Sequence, residues 1–178
     1  YPYIASGKIT IIQGDPGEGK TTLALRLAAA CSMGGSLPNH EFKEPITVIY
    51  QTAEDGLADT IKPRLELHQA DCTNICFIEK RSDSLSLDSD ELDESVKRIN
   101  ARVLVLDPIQ SFLGENIDMN RANVIRPRLN HLKELAEKTG CAILLVGHLN
   151  KNSSGKANYR GLGSIDISAA ARSVLIVG

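Results

Sequence analysis

The sequence predicts a three-layer α/β fold, with a mostly parallel central sheet and helices on both faces. Three observations carry that expectation. Short β-branched runs alternate with helix-period stretches along the chain. A glycine-rich segment at residues 14–22, reading GDPGEGKTT, joins the first such run to the first helical stretch. The 178 residues are 42% apolar, enough to fill the core of one domain, so residues 1–178 are read as a single unit.

Strands are expected at 8–13, 47–51, 75–78, 103–106, 142–146 and 173–177, where β-branched and aliphatic residues cluster. The first helix is expected over 20–33, because Leu23, Leu27 and Ala30 recur on one face and Gly34-Gly35 stops it. A second should start near Leu57, with Asp55 or Gly56 at its cap and Pro63 forcing a kink or a restart. The third spans 90–99. The fourth, 121–138, turns Leu129, Leu132, Leu135 and Ala136 inward, ends before Gly140, and should break at Pro127. Residues 82–89 are short, polar and Ser/Asp-rich, hence irregular. Residues 150–164 (NKNSSGKANYRGLGS) are long and poor in apolar residues, which marks a functional loop.

A net charge of −2 excludes a polycation, so any nucleic-acid surface has to be local or assembled from several subunits. Only 4% of residues are aromatic and none is Trp, which disfavours base stacking as the main recognition mode. Cys31, Cys72, Cys76 and Cys141 form no close C-x-x-C pair and are read as free thiols. With no membrane-length apolar run and no signal segment, the expected compartment is the cytoplasm and no membrane partner is expected. The chain opens on Tyr1-Pro2-Tyr3 without an initiating Met and stops at Gly178 after an apolar run, so it reads as a piece of a longer protein.

The chemistry begins at the glycine-rich segment. Gly14, Gly19, Lys20 and Thr21 satisfy G-x-x-x-x-G-K-[ST], the phosphate-binding loop, in its proper place between strand and helix. Glycines at 14, 17 and 19 let the backbone of Asp15, Pro16, Gly17, Glu18 and Thr22 curl around an anion and aim at it the N–H groups that all of these but Pro16 carry. The helix start adds partial positive charge. Lys20 reaches the β- and γ-phosphates, and the Thr21 hydroxyl holds Mg²⁺. Residues 101–108, ARVLVLDP, form an apolar strand ending in an acid, so Asp107 is placed to orient Mg²⁺ beside Thr21. Together these residues specify Mg²⁺ with ATP or GTP.

Hydrolysis also needs a base for the attacking water. Pro108 follows Asp107, so a base immediately after the metal-binding acid is missing. Glu54 lies just past the strand at 47–51 and is the candidate, with Asp55 as the alternative base or a helix cap. His148 lies just beyond the strand at 142–146. It is placed to sense the γ-phosphate and pass its state to the loop that holds Asn150 and Lys151. His40, His68 and His131 have no ligand spacing.

Residues 7–24 (GKITIIQGDPGEGKTTLA), 48–56 (VIYQTAEDG), 102–114 (RVLVLDPIQSFLG), 143–151 (ILLVGHLNK) and 159–177 (YRGLGSIDISAAARSVLIV) together resemble the RecA-like ATPase core, in particular the RepA-type hexameric replicative helicases of plasmids, phages and related elements. The resemblance implies a P-loop ATPase of RecA-like fold in which Glu54 is catalytic and His148 the sensor. It also implies that Arg172 acts in trans as an arginine finger on a neighbour's ATP, with Arg160 as the competing candidate. It implies a homo-oligomeric ring, usually a hexamer, with ATP at subunit boundaries. Lys151, Lys156 and Arg160 in the loop 150–164 would then meet single-stranded DNA in the ring's channel. The leading function is ATP hydrolysis coupled to DNA translocation in a helicase or replication ATPase. The alternatives are a recombination, repair or regulatory ATPase that does not unwind DNA, and an assembly module with little turnover. A metabolic kinase would need an acceptor pocket that the motifs do not supply.

Overall fold

The computed structural model describes residues 2–42, 44–79, 85–114, 122–148 and 165–178. Among them strands and helices alternate: β1 (Ile9–Gly14), α1 (Lys20–Met33), the short strands β2 (Ser36–Leu37) and β3 (His40–Glu41), β4 (Val48–Thr52), α2 (Lys62–Leu67), β5 (Ile75–Cys76), α3 (Asp90–Arg98), β6 (Val103–Asp107), α4 (Ala122–Thr139), β7 (Ala142–His148), α5 (Ile165–Ala170) and β8 (Ser173–Val177). Six of these strands form one sheet in the order β5-β4-β6-β7-β1-β8, with every pairing parallel. β2 and β3 make a separate antiparallel hairpin around Pro38-Asn39, with Asn39 in the left-handed region that such a turn requires.

The side-chain period of two sorts each strand between two apolar layers. Ile9, Ile11, Ile49, Leu104, Leu106, Ile143 and Leu145 face a core closed by α3, α4 and α5. Ile12, Val48, Tyr50, Val103, Val105, Leu144 and Val146 face α1 and α2, through Ala24, Leu25, Ala28 and Leu65. This is the expected three-layer arrangement.

Two local expectations change, at β5 and at Pro127, while the second helix and the described part of the stretch 82–89 keep their expected character and gain detail. β5 stops at Cys76, two residues short, because Gln51 takes over the pairing with its side chain: its amide Nε2 donates to the Ile78 carbonyl (3.4 Å) and its Oε1 accepts from the Ile78 N–H (3.0 Å). Asp55 does not cap the second helix. Gly56 is the capping residue, Leu57–Ile61 form a wide π-type turn, and an α-helix restarts at Lys62 with Pro63 in its first turn, where a missing N–H does no harm. Pro127 does not break α4, which runs unbroken from Ala122 to Thr139. Within the polar stretch 82–89, Leu87 is fully buried and its N–H bonds the Phe112 carbonyl (2.9 Å). The Ser89 hydroxyl then accepts from Leu92 N–H to cap α3.

Because the strands are parallel and in register, Gly14 pairs with His148 and Thr52 with Asp107. The carboxyl ends of β1, β4, β6 and β7 therefore open on one edge of the sheet, where a crevice is expected in such folds.

Candidate active site

The phosphate-binding loop leaves the end of β1 and enters α1 at Lys20. Gly17 and Gly19 both take φ 86°, a region that costs other residues strain. Gly14 has a different reason to be glycine. A Cβ there would run into the Val177 carbonyl of β8, so close packing fixes this position and not the curl of the loop. Lys20 is 5% exposed, and its ammonium donates to the Asp15 carbonyl (2.7 Å), a bond that a phosphate would replace. Burial lowers the Lys20 pKa, against the raising influence of Asp107, Asp15 and Glu18. A buried cation whose hydrogen bond goes to a neutral acceptor is poised for an anion.

Period-two geometry brings the other groups to the same face. Asp107 shares its face with Val103 and Val105, His148 with Leu144 and Val146, and all of these point toward α1. Asp107 is buried, and burial raises its carboxyl pKa; hydrogen bonds from Tyr50 and Thr21 work in the opposite direction. The Tyr50 hydroxyl donates to Asp107 Oδ2 at 2.8 Å. Burial, followed by the nearby Asp107 charge, pushes the Tyr50 pKa upward, so the phenol stays a donor.

A cavity of about 310 Å³ lies at this edge, lined by the loop (Gly17, Gly19, Lys20, Thr21, Thr22) together with Glu54, Arg64, Asp107 and His148. Lys20, Thr21, Glu54, Asp107 and His148, expected from the sequence to act together, thus share one cavity. Glu54 is exposed to it. His148 is half-buried, and its buried Nδ1 has no hydrogen-bond partner among the described residues. Thr21 and Asp107 present hard oxygen donors side by side, the donor set that suits Mg²⁺.

Two residues were missed. Arg64 reaches the cavity from α2, where its guanidinium lies 3.6 Å from Asp55 Oδ2. A lone arginine in a helical stretch carries no spacing signal; the π-type turn brings it there. Tyr50 reads in sequence as one more apolar strand residue, and its tie to Asp107 exists only through the β4–β6 register. Asp55, the alternative base, is engaged with Arg64 and with Thr52, whose Oγ1 accepts the Asp55 N–H (3.4 Å). Arg172 is not brought to this cavity. It is exposed at the opposite end of the sheet, where its N–H bonds the Ile9 carbonyl (2.8 Å). The loop 150–164, with Lys151, Lys156 and Arg160, lies outside the described residues.

A phosphate loop, a strand-end acid beside its threonine and a six-stranded parallel sheet between helices define a RecA-like P-loop fold. The chain belongs to the AAA domain family, whose model matches residues 1–154. It is 29% identical over 154 residues to the DNA repair protein RadA of Streptococcus pneumoniae (strain ATCC BAA-255 / R6), covering 85% of this chain and 32% of that one. It is 25% identical over 153 residues to the DNA repair protein RadA of Bacillus subtilis (strain 168), covering 85% of this chain and 30% of that one. The chain thus spans about a third of the length of these curated relatives. Among solved structures it is similar to an ATPase domain with which it shares a TM-score of 0.68 at 15% identity, over 97% of this chain and 69% of that one. It is also similar to the KaiC-like protein PH0186 from Pyrococcus horikoshii OT3, with a TM-score of 0.64 at 20% identity over 96% of this chain and 71% of that one.

Proposed function

We propose that this chain is a Mg²⁺-dependent ATP-hydrolysing domain that couples turnover to DNA, in a homo-oligomeric, hexameric ring. The observation that carries the reading is the convergence of Lys20, Thr21, Glu54, Asp107 and His148 on one cavity at the carboxyl edge of the sheet. Lys20 leaves the Asp15 carbonyl to hold the β- and γ-phosphates, while the loop N–H groups from Gly17 to Thr22 wrap them. Thr21 and Asp107 would hold Mg²⁺, which would supply charge neutralisation at the phosphates. Glu54 accepts the proton of the attacking water. His148 Nδ1, buried and unpaired among the described residues, registers the γ-phosphate by a hydrogen bond. Arg64 adds a cation from the same chain, and Arg172 adds one to a neighbour's site. The loop 150–164 contacts single-stranded DNA.

The test is ATP hydrolysis with and without single-stranded DNA, for the wild type, Lys20→Ala and Glu54→Gln, beside a strand-separation assay. DNA-stimulated turnover lost in both variants, with unwinding, supports a helicase or replication motor. Turnover indifferent to DNA overturns the coupling, and an active Glu54→Gln overturns the base.

A second reading is a repair or recombination ATPase that acts on DNA without unwinding it. The 85% coverage of this chain by proteins named for DNA repair favours it. DNA-stimulated hydrolysis without strand separation is its signature.

A further inference from the structure

We propose that Tyr50 is a positioning residue for Asp107: its phenol hydroxyl, 2.8 Å from Asp107 Oδ2, sets the carboxylate plane that receives the metal ion beside Thr21. The proposal rests on the metal-binding role of Asp107 given above.

Tyr50 is 0% exposed and lies within the apolar layer between the sheet and α1. Filling that layer needs only a ring. A buried hydroxyl adds a desolvation cost unless it is satisfied, and the bond to Asp107 satisfies it. In register, Tyr50 faces Val105 while Asp107 faces Thr52, so the phenol lies two pairs behind the carboxylate, on the same face, and meets it from the core side. The terminal torsion of an Asp side chain is soft and broad. A donor fixed in a packed ring removes that freedom, because the ring cannot follow the carboxylate. With one lone pair of Oδ2 taken by Tyr50 and a second donor at the Thr21 hydroxyl, a carboxylate that lines the cavity keeps its remaining acceptor positions for the metal ion. Asp107 is itself 6% exposed, so solvent has little access to do the same work.

The decisive variant is Tyr50→Phe, which keeps the ring and removes only the donor. The measurement is Mn²⁺ uptake by the ADP-bound protein, followed by electron paramagnetic resonance. Metal-free binding of a fluorescent ADP analogue and the melting temperature are read alongside. For Tyr50→Phe the expected result is a Mn²⁺ half-saturation about tenfold higher than wild type, the scale set by losing one charge-assisted hydrogen bond, with metal-free nucleotide affinity unchanged. In an Asp107→Asn background the same substitution should change Mn²⁺ uptake by less than about twofold, since the bond's partner is already altered. A filler role alone predicts that Tyr50→Phe matches wild type in Mn²⁺ uptake, and that result would overturn the proposal. So would equal losses from Tyr50→Phe in both backgrounds, which would point to general loosening of the fold. A wild type that takes up no Mn²⁺ with nucleotide overturns the metal site and this proposal together. A wild type that takes up Mn²⁺ and does not hydrolyse ATP overturns only the hydrolase reading, and the ratio between the two proteins then decides Tyr50 by itself.

Discussion

Lys20 shows how a binding residue can work against its own fold. Its pKa is lowered by burial, so the unfolded chain holds that proton more tightly than the folded one. Carrying the charge at neutral pH therefore costs stability, and the cost fades as pH rises toward the ordinary lysine value. Lys20→Ala is expected to leave the nucleotide-free melting temperature unchanged or raised, while abolishing the shift that ATP produces; differential scanning calorimetry with and without ATP checks both. Glu54→Gln should keep that ATP shift and lose about 10²–10⁴-fold in turnover. The cysteines divide by the same logic. Burial pushes the thiols of Cys31 and Cys141 up to about 12, whereas Cys72 is exposed and Cys76 half-buried. At pH 8 a thiol reagent should label Cys72 first and Cys76 more slowly, with Cys31 and Cys141 reacting only after denaturation. Since the folded state keeps those two protons longer than the unfolded chain does, stability should fall as pH rises above about 9.

Whole elements answer to packing more than to local propensity, and Pro127 illustrates it. The ring removes one helical hydrogen bond, a loss of about 3 kcal/mol. Ile125, Leu129 and Leu132 bury fully on the same helix, on both sides of Pro127, and each is worth about 1.5–3 kcal/mol. The sum exceeds the loss, the exposed proline stays outside, and Arg128 Nη1 adds a bond to the Val124 carbonyl (3.1 Å). Pro127→Ala should therefore stabilise the protein by about 1–3 kcal/mol without changing activity, as urea unfolding would show. The six sheet strands were legible because β-branched runs depend on neighbours in sequence. The phosphate loop was legible because its spacing is local. β5 was overestimated because its last pairing is made by the side chain of Gln51, which no strand pattern encodes. The β2–β3 hairpin was missed although Pro38-Asn39 is a turn signal, since two-residue strands carry no periodicity. Arg64 and Tyr50 were hidden for a third reason: one depends on the width of a π-type turn and the other on registration between β4 and β6.

At the scale of the whole molecule, a chain of net charge −2 can hold DNA only through a local basic patch or through positive groups gathered by assembly. Arg172 fits the second route, being exposed and remote from its own cavity. If it completes a neighbour's site, Arg172→Ala and Lys20→Ala should each be inactive alone, and a mixture of the two should hydrolyse ATP. In mixed rings, a subunit with an intact loop receives its arginine from a Lys20→Ala neighbour. A mixture as silent as its parts would exclude that role for Arg172. The strand next to this arginine has one more consequence. β8 begins just after Arg172, beside Ile9, and ends with the Val177 carbonyl pressed against Gly14, where the phosphate loop starts. It is a strut roughly 16 Å long, with the subunit's exposed guanidinium at one end and the root of its own loop at the other. A push on Arg172 from outside has a stiff route to the nucleotide, and a methyl group at residue 14 would wedge that route open.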